Sequence, residues 1–218
     1  LKQLNDFRFT ARIKATPDLR VYIDIGDDNS LNAVGSGIID LESRSAQDSF
    51  TLGGDYTIQD GNFHFSALNL VSRNFTIQDG SSIRFNGDIW DTDLNVMGRY
   101  TTKANLSNLL TSYDEESSAG VSSRHTVYCG INISGKIRNP EVDFDIEVPD
   151  LNPRVQAEVE SALTSEDKIQ KQFVYLLIAG NFLPTEESGV PSSGSDVLLS
   201  NVTSIMTGQL NNIFQKLD

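Results

Sequence analysis

The sequence predicts a mainly β protein that ends in amphipathic helices, and three observations carry that prediction. Apolar and polar residues alternate with period two over most of residues 7–148. Glycine- and asparagine-rich turn signals separate the alternating runs. After Pro149 the period becomes helical, with apolar residues three and four apart.

Taken in order, Phe7, Phe9, Ala11 and Ile13 share one face of a first strand, and Leu19, Val21, Ile23 and Ile25 one face of a second. Phe50 and Leu52 open a strand that Gly53-Gly54 is expected to bend, leading to Tyr56 and Ile58. Phe63 with Phe65, Phe75 with Ile77, and Ile83 with Phe85 continue the series. Leu94, Val96, Gly98 and Tyr100 follow, then Val127 to Ile137 including Ile131 and Ile133, then Val142, Phe144, Ile146 and Val148. Asp, Arg, Asn, Ser and Thr fill the alternate positions, so one side of the sheet is apolar and the other wet.

The helical part reads as Val155, Val159 and Ala162/Leu163, then Ile169, Phe173, Leu176/Leu177 and Gly180. Ser165 before Glu166 and Asp167 marks a helix start, because acidic groups are favoured in the first turn. A last helix is expected from about Asp196 to Leu217, after a Glu-, Ser- and Pro-rich linker at about 185–195. The division is therefore residues 1–150 for the sheet and 151–218 for the helical segment. Residues 107–123, with Asp114-Glu115-Glu116, read as a long solvated loop.

Within the sheet, Tyr56-Thr57-Ile58-Gln59-Asp60-Gly61 returns as Phe75-Thr76-Ile77-Gln78-Asp79-Gly80, nineteen residues later. Asp-Gly supplies the positive φ of a tight hairpin, so each copy reads as strand, turn, strand. A unit this short buries its apolar face only by stacking on neighbours, as in a solenoid or a long meandering sheet.

The chain has 218 residues, a formal charge of −13 and 38% hydrophobic residues. Such acidity argues against a nucleic-acid partner, which needs clustered Lys and Arg, and the bulk surface would repel anionic lipid headgroups. Cys129, the one cysteine, alternates with Val127 and Ile131 and is expected to be buried. The longest apolar run, Phe173 to Leu183, is too short to span a bilayer. There is no initiating Met and the pattern is already running at the start, so a piece of a longer protein is expected.

Catalytic chemistry has little support. His64 and His125 are expected on the polar side of their strands as surface imidazoles. Asp143, Asp145 and Glu147 share one strand face and, with Asp150, could hold Ca²⁺, but a solvated row that protects an edge is the preferred reading. Asp91 and Asp93 read as a hairpin turn. No nucleophile elbow, phosphate loop or zinc helix is present, and no cofactor and no enzyme activity are expected.

Four pieces in order resemble the C-terminal domain of the TamB family, the translocation and assembly module component of Gram-negative envelopes. They are Gly54-Asp55-Tyr56-x-Ile58-x-x-Gly61-x-Phe63-x-Phe65, Phe75-x-Ile77-x-x-Gly80, Ile83-x-Phe85-x-Gly87-Asp88 and Thr92-Asp93-Leu94-x-Val96. Ile133-x-Gly135-x-Ile137-x-Asn139-Pro140-x-Val142-x-Phe144 and Gln172-Phe173-x-x-Leu176-Leu177-x-x-Gly180-x-Phe182 extend the resemblance, which covers about residues 30–218. The loop at 107–123 is longer than the family pattern, and the family continues beyond the point that corresponds to Asp218.

The resemblance implies an elongated, curled antiparallel or meandering sheet that forms an apolar groove, in the periplasmic part of an inner-membrane-anchored protein. It implies a role in outer-membrane protein assembly or secretion, or in phospholipid transport across the periplasm. The implied partners are an outer-membrane barrel of the insertase family and, as client, phospholipid acyl chains or nascent outer-membrane β-strands. The groove residues are then Phe7, Phe9, Phe50, Tyr56, Ile58, Phe63, Phe65, Phe75, Ile77, Ile83, Phe85, Leu94, Val96, Ile131, Ile133, Val142 and Phe144. The alternative is a secreted β-solenoid or sandwich that binds polysaccharide, for which Trp90 is the one residue that speaks.

Overall fold

The structure is a computed structural model and describes residues 7–18, 20–26, 28–44, 49–67, 71–110 and 123–184. The expected last helix at 196–217, the linker at 185–195 and most of the loop at 107–123 lie outside them. Eight strands form one antiparallel sheet: β1 (Arg8–Ala15), β2 (Arg20–Gly26), β3 (Asn29–Arg44), β4 (Ser49–Ala67), β5 (Val71–Ile77), β6 (Ser82–Asn105), β7 (Arg124–Lys136) and β8 (Asn139–Glu147). Two helices follow, α1 (Pro153–Ala162) and α2 (Glu166–Ala179).

Several strands share a lane. β1 pairs with Gly37–Arg44 of β3 and β2 with Asn29–Val34, so the two run end to end along one edge. β4 pairs with β3 from Ser49 to His64. On its other side β4 meets β5 through Asn62–Ala67 and the start of β6 through Leu52–Thr57, both antiparallel.

That pairing corrects the hairpin expectation for both Asp-Gly copies. In β4, Ile58 stands opposite Gly35 and Asp60 opposite Val34, so Gln59 is an extra residue in a β-bulge and the chain runs on through Asp60-Gly61. Asp79-Gly80 lies in a short detour between β5 and β6, which continue in the same direction along β4. Gly80 has the expected positive φ of 88°, but it serves a loop that does not reverse the chain. The detour is sewn down where Ile58 N donates to Ser81 O at 2.9 Å and Gln78 N to Met97 O at 2.8 Å.

The reversal expected at Asp91–Asp93 falls between Gly87 and Asp93. Ser82–Gly87 runs parallel to β5, whereas Gly98 and Arg99 pair with it antiparallel. Gly87 supplies a φ of 109° there, and Asp88 Oδ1 accepts from Trp90 N at 2.9 Å. The remainder of β6 pairs with β7, and β7 with β8 across a two-residue turn at Ile137-Arg138.

Both helices start as their sequences direct. The Asn152 side chain caps α1 at Val155 N with Pro153 in the first turn, and Ser165 caps α2 at Lys168 N. Gly180, at φ 65°, closes α2. Gln172 then clamps Leu183, donating to its carbonyl and accepting from its N–H at 3.0 and 2.7 Å.

Candidate functional site: the apolar face of the sheet

Strand pairing sets the faces. An extra residue exchanges the two sides of a strand, so the Gln59 bulge puts Tyr56 and Ile58 on the same side as Phe63 and Phe65. Across the ladders that side carries Phe9 on β1, Phe50 on β4, Phe75 and Ile77 on β5, and Ile83 and Phe85 on the first part of β6. It continues through Leu94 and Val96 on β6, Ile131 and Ile133 on β7, and Val142 and Phe144 on β8. Without the bulge, half of the aromatic series would point to the wet side.

Burial along this face is uneven. Tyr56, Ile58, Phe65, Phe75, Ile77, Leu94, Ile131 and Ile133 are buried, while Phe63, Ile83, Phe85, Val96, Val142 and Phe144 are half-buried. Phe7, Phe9 and Phe50 are open to solvent at 65%, 46% and 50% exposure, and Ile13, beside Phe9, is also exposed. The covered end owes its cover to the helices: Phe173 of α2 sets its ring 6.3 Å from Phe75 and 4.6 Å from Phe144. Val155, Val159, Leu176, Leu177 and Phe182 complete that core with Leu106, Leu109 and Leu110. A smaller cluster of Ala15, Ala33, Tyr56, Ile58 and Ile77 continues it toward the open end.

The opposite face is ionic. Arg8 pairs with Glu42, Arg12 with Asp40, Arg84 with Asp55, and Lys136 with both Asp91 and Asp93. Asp143, Asp145 and Glu147 stand on this side of β8, opposite Asn132, Gly130 and Tyr128. Among the described residues no three His, Cys, Asp or Glu side chains converge as a metal site would require. His64 lies on the wet side as expected, with Nδ1 2.7 Å from Asn74 Oδ1. His125 does not: it stands opposite Ala104, on the side of Val127 and Cys129.

Hydrogen bonding from Arg12 lowers the Asp40 carboxyl below its ordinary 3.8, and bonds from Arg44 and Arg8 lower Glu42 below 4.5. The folded edge therefore holds protons less readily than the unfolded chain. The stabilisation is complete above those ordinary values and is lost as pH falls through the lowered ones. Amide exchange on β1, corrected for intrinsic rates, is expected to quicken as pH falls from about 6 to about 3 while β7–β8 stays protected. Equal protection of β1 at both pH values would refute the assignment.

Burial, aided by the charge of Asp145, pushes the Cys129 thiol up to about 12. A thiol so held is inert, since the thiolate is the reactive form. Maleimide at neutral pH is expected to label Cys129 only in denaturant; labelling of the native protein would contradict the burial.

One residue on the apolar face was not singled out from the sequence. Arg73 stands opposite Phe65 on β5, half-buried, with its guanidinium carbon 5.6 Å from the Tyr100 ring centroid. The alternation around it, Val71-x-Arg73-x-Phe75, placed it on that side once register was known.

An amphipathic sheet roofed at one end by two helices defines a protein that presents an extended apolar surface. The family model for the TamB C-terminal domain matches residues 2–218, and the chain belongs to that family. Membership ties it to the translocation and assembly module and to outer-membrane biogenesis, within a membrane-associated family that works with outer-membrane proteins. No curated protein and no solved structure matches the chain. Among the described residues no helix is long and apolar enough to cross a membrane.

Proposed function

We propose that this chain is a non-enzymatic element of the translocation and assembly module, in the periplasmic part of an inner-membrane-anchored protein. Its apolar face acts as a groove that shelters the acyl chain of a phospholipid on its way between membranes. The observation that carries this reading is the continuity of the face: Phe9, Ile13 and Phe50, exposed to solvent, extend the side on which Tyr56, Ile58 and Phe75 are buried. Apolar contact at about 25 cal/mol per Å² gives such a surface real affinity for a hydrocarbon chain.

Two features fit a curled sheet. A flat sheet holds β5 and β8 about 14 Å apart, at roughly 4.8 Å per lane. One ring, Phe173, nevertheless lies near both Phe75 and Phe144. Bulges bend and twist strands, and the Gln59 bulge and the Gln78–Ser81 detour lie side by side in adjacent lanes.

A second client is favoured by one observation. Among the described residues no strand pairs with the outer edge of β8, and a nascent outer-membrane strand could add there by β-augmentation before delivery to a barrel partner. The polysaccharide reading rests on Trp90, whose ring lies 5.3 Å from the Arg138 guanidinium carbon.

The test is native mass spectrometry with lipid extraction on protein purified from a Gram-negative host. Phospholipid is expected to co-purify and to be lost from a Phe9→Asp/Phe50→Asp variant whose circular dichroism is unchanged. Both rings are exposed, so the charges report on binding and not on folding. Retention of lipid by the variant, or a lipid-free wild type that takes up no fluorescent fatty acid, would defeat the acyl-groove reading and leave β8 as the working surface.

A further inference from the structure

Resting on the acyl-groove reading, we propose that Arg73 is an anion hook in the apolar face, which holds the phosphate of a lipid headgroup. Two independent observations point to a ligand there. First, the charge is half-buried on the apolar side, and among the described residues no carboxylate pairs with it, whereas the other arginines without such a partner, Arg20, Arg124 and Arg138, are exposed to water. Second, the guanidinium is under-bonded: the buried Nε–H is bonded to nothing, and of the two terminal nitrogens only one has a partner among the described residues, donating to Ser72 O at 2.9 Å. Donors left unmade are costly, and the outer edge of a guanidinium, formed by its two terminal nitrogens, matches a phosphate edge.

The surroundings define the rest of the ligand. The Tyr100 ring steadies the guanidinium, and the residue directly across the ladder is Phe65, with Phe63 on the same side. A headgroup at Arg73 would lay its tail along the half-buried Phe63 toward Ile83, which is also half-buried on the same face. An acyl chain of about 20 Å covers about six residues of strand. The outer face, at a formal chain charge of −13, repels free anions, so an apolar tail is needed to bring the phosphate to this cation. A nascent strand would leave the hook unfilled.

The test compares three probes below their micelle-forming concentrations: dodecyl phosphate, dodecyl maltoside with the same tail and a neutral head, and inorganic phosphate. Wild type is expected to bind dodecyl phosphate about tenfold more tightly than the maltoside, the equivalent of about 1.4 kcal/mol. Arg73→Leu is expected to erase that difference while still binding the maltoside, and Arg73→Lys to keep part of it. An unchanged preference in Arg73→Leu overturns the hook and leaves the groove standing. Equal affinity for inorganic phosphate and dodecyl phosphate replaces the lipid headgroup by a free phosphate site and so overturns the proposal. If neither amphiphile binds wild type, the acyl-groove reading fails and the hook with it. Thermal melts of both variants confirm that a lost preference is not a lost fold.

Discussion

Phe173→Ala is expected to cost about 3–5 kcal/mol, the range for removing a fully buried aromatic ring from a packed core. The ring is 1% exposed and touches strands that do not neighbour each other, Phe75 on β5 and Phe144 on β8. Its loss leaves a cavity between helix and sheet that Val174, Leu176 and Leu177, held on their own helix, cannot fill. In urea, the helical part of the far-ultraviolet signal should then disappear before the strand part, because α1 and α2 have little beyond this core to hold them. Lys171→Ala, on the exposed side of the same helix, should stay within about 0.5 kcal/mol of wild type. A cost below about 1 kcal/mol for Phe173→Ala would mean that the helices do not depend on the sheet face.

Two adjacent glycines in β4 should give opposite results. At Gly54 the backbone φ is 116°, and a Cβ would run into the carbonyl oxygen of Ile38 on β3. Backbone atoms in a paired strand cannot step aside, and φ in that region already strains any other residue by about 1–3 kcal/mol. Gly54→Ala is therefore expected to destabilise by about 3 kcal/mol or more. At Gly53 nothing lies within 4 Å of the added methyl. Gly53→Ala should be neutral or stabilise by about 0.4–1 kcal/mol through the unfolded chain. Equal melting temperatures for the two variants would show that β4 does not hold this conformation at Gly54.

Much of this fold was legible because period-two alternation is a direct record of which side chains meet the core. Within each run Phe9, Phe63 with Phe65, Phe75, Phe85 and Phe144 face as the alternation implies, and Phe50 joins their side because the Gln59 bulge exchanges the faces of β4. The cap of α2 was equally readable, since Ser165-Glu166-Asp167 acts on the turn beside it. The direction of the chain after Asp-Gly was not. Positive φ is required in a hairpin, a bulge or a loop alike, and only pairing with β3 and β4 decides among them. The same blindness hid Arg73 and misplaced His125: near a strand end or within an apolar run, a polar residue does not announce its side until the register is known. Nor does alternation say which part of a face is roofed, because the roof comes from Phe173, about a hundred residues away from Phe75 in the chain.

The roof has a consequence for traffic. A corridor needs two open ends, and on the proposed reading this one is closed where α1 and α2 sit over β5 to β8 and open where Phe9 and Phe50 meet solvent. Cargo sliding in from the open side would halt against the helices, with Arg73 beside the stopping place. To leave, it must retreat, climb out sideways, or wait until the helices lift. The domain would then be a terminus and not a stretch of track, and the strength with which Phe173 holds its seat would set how long a passenger stays.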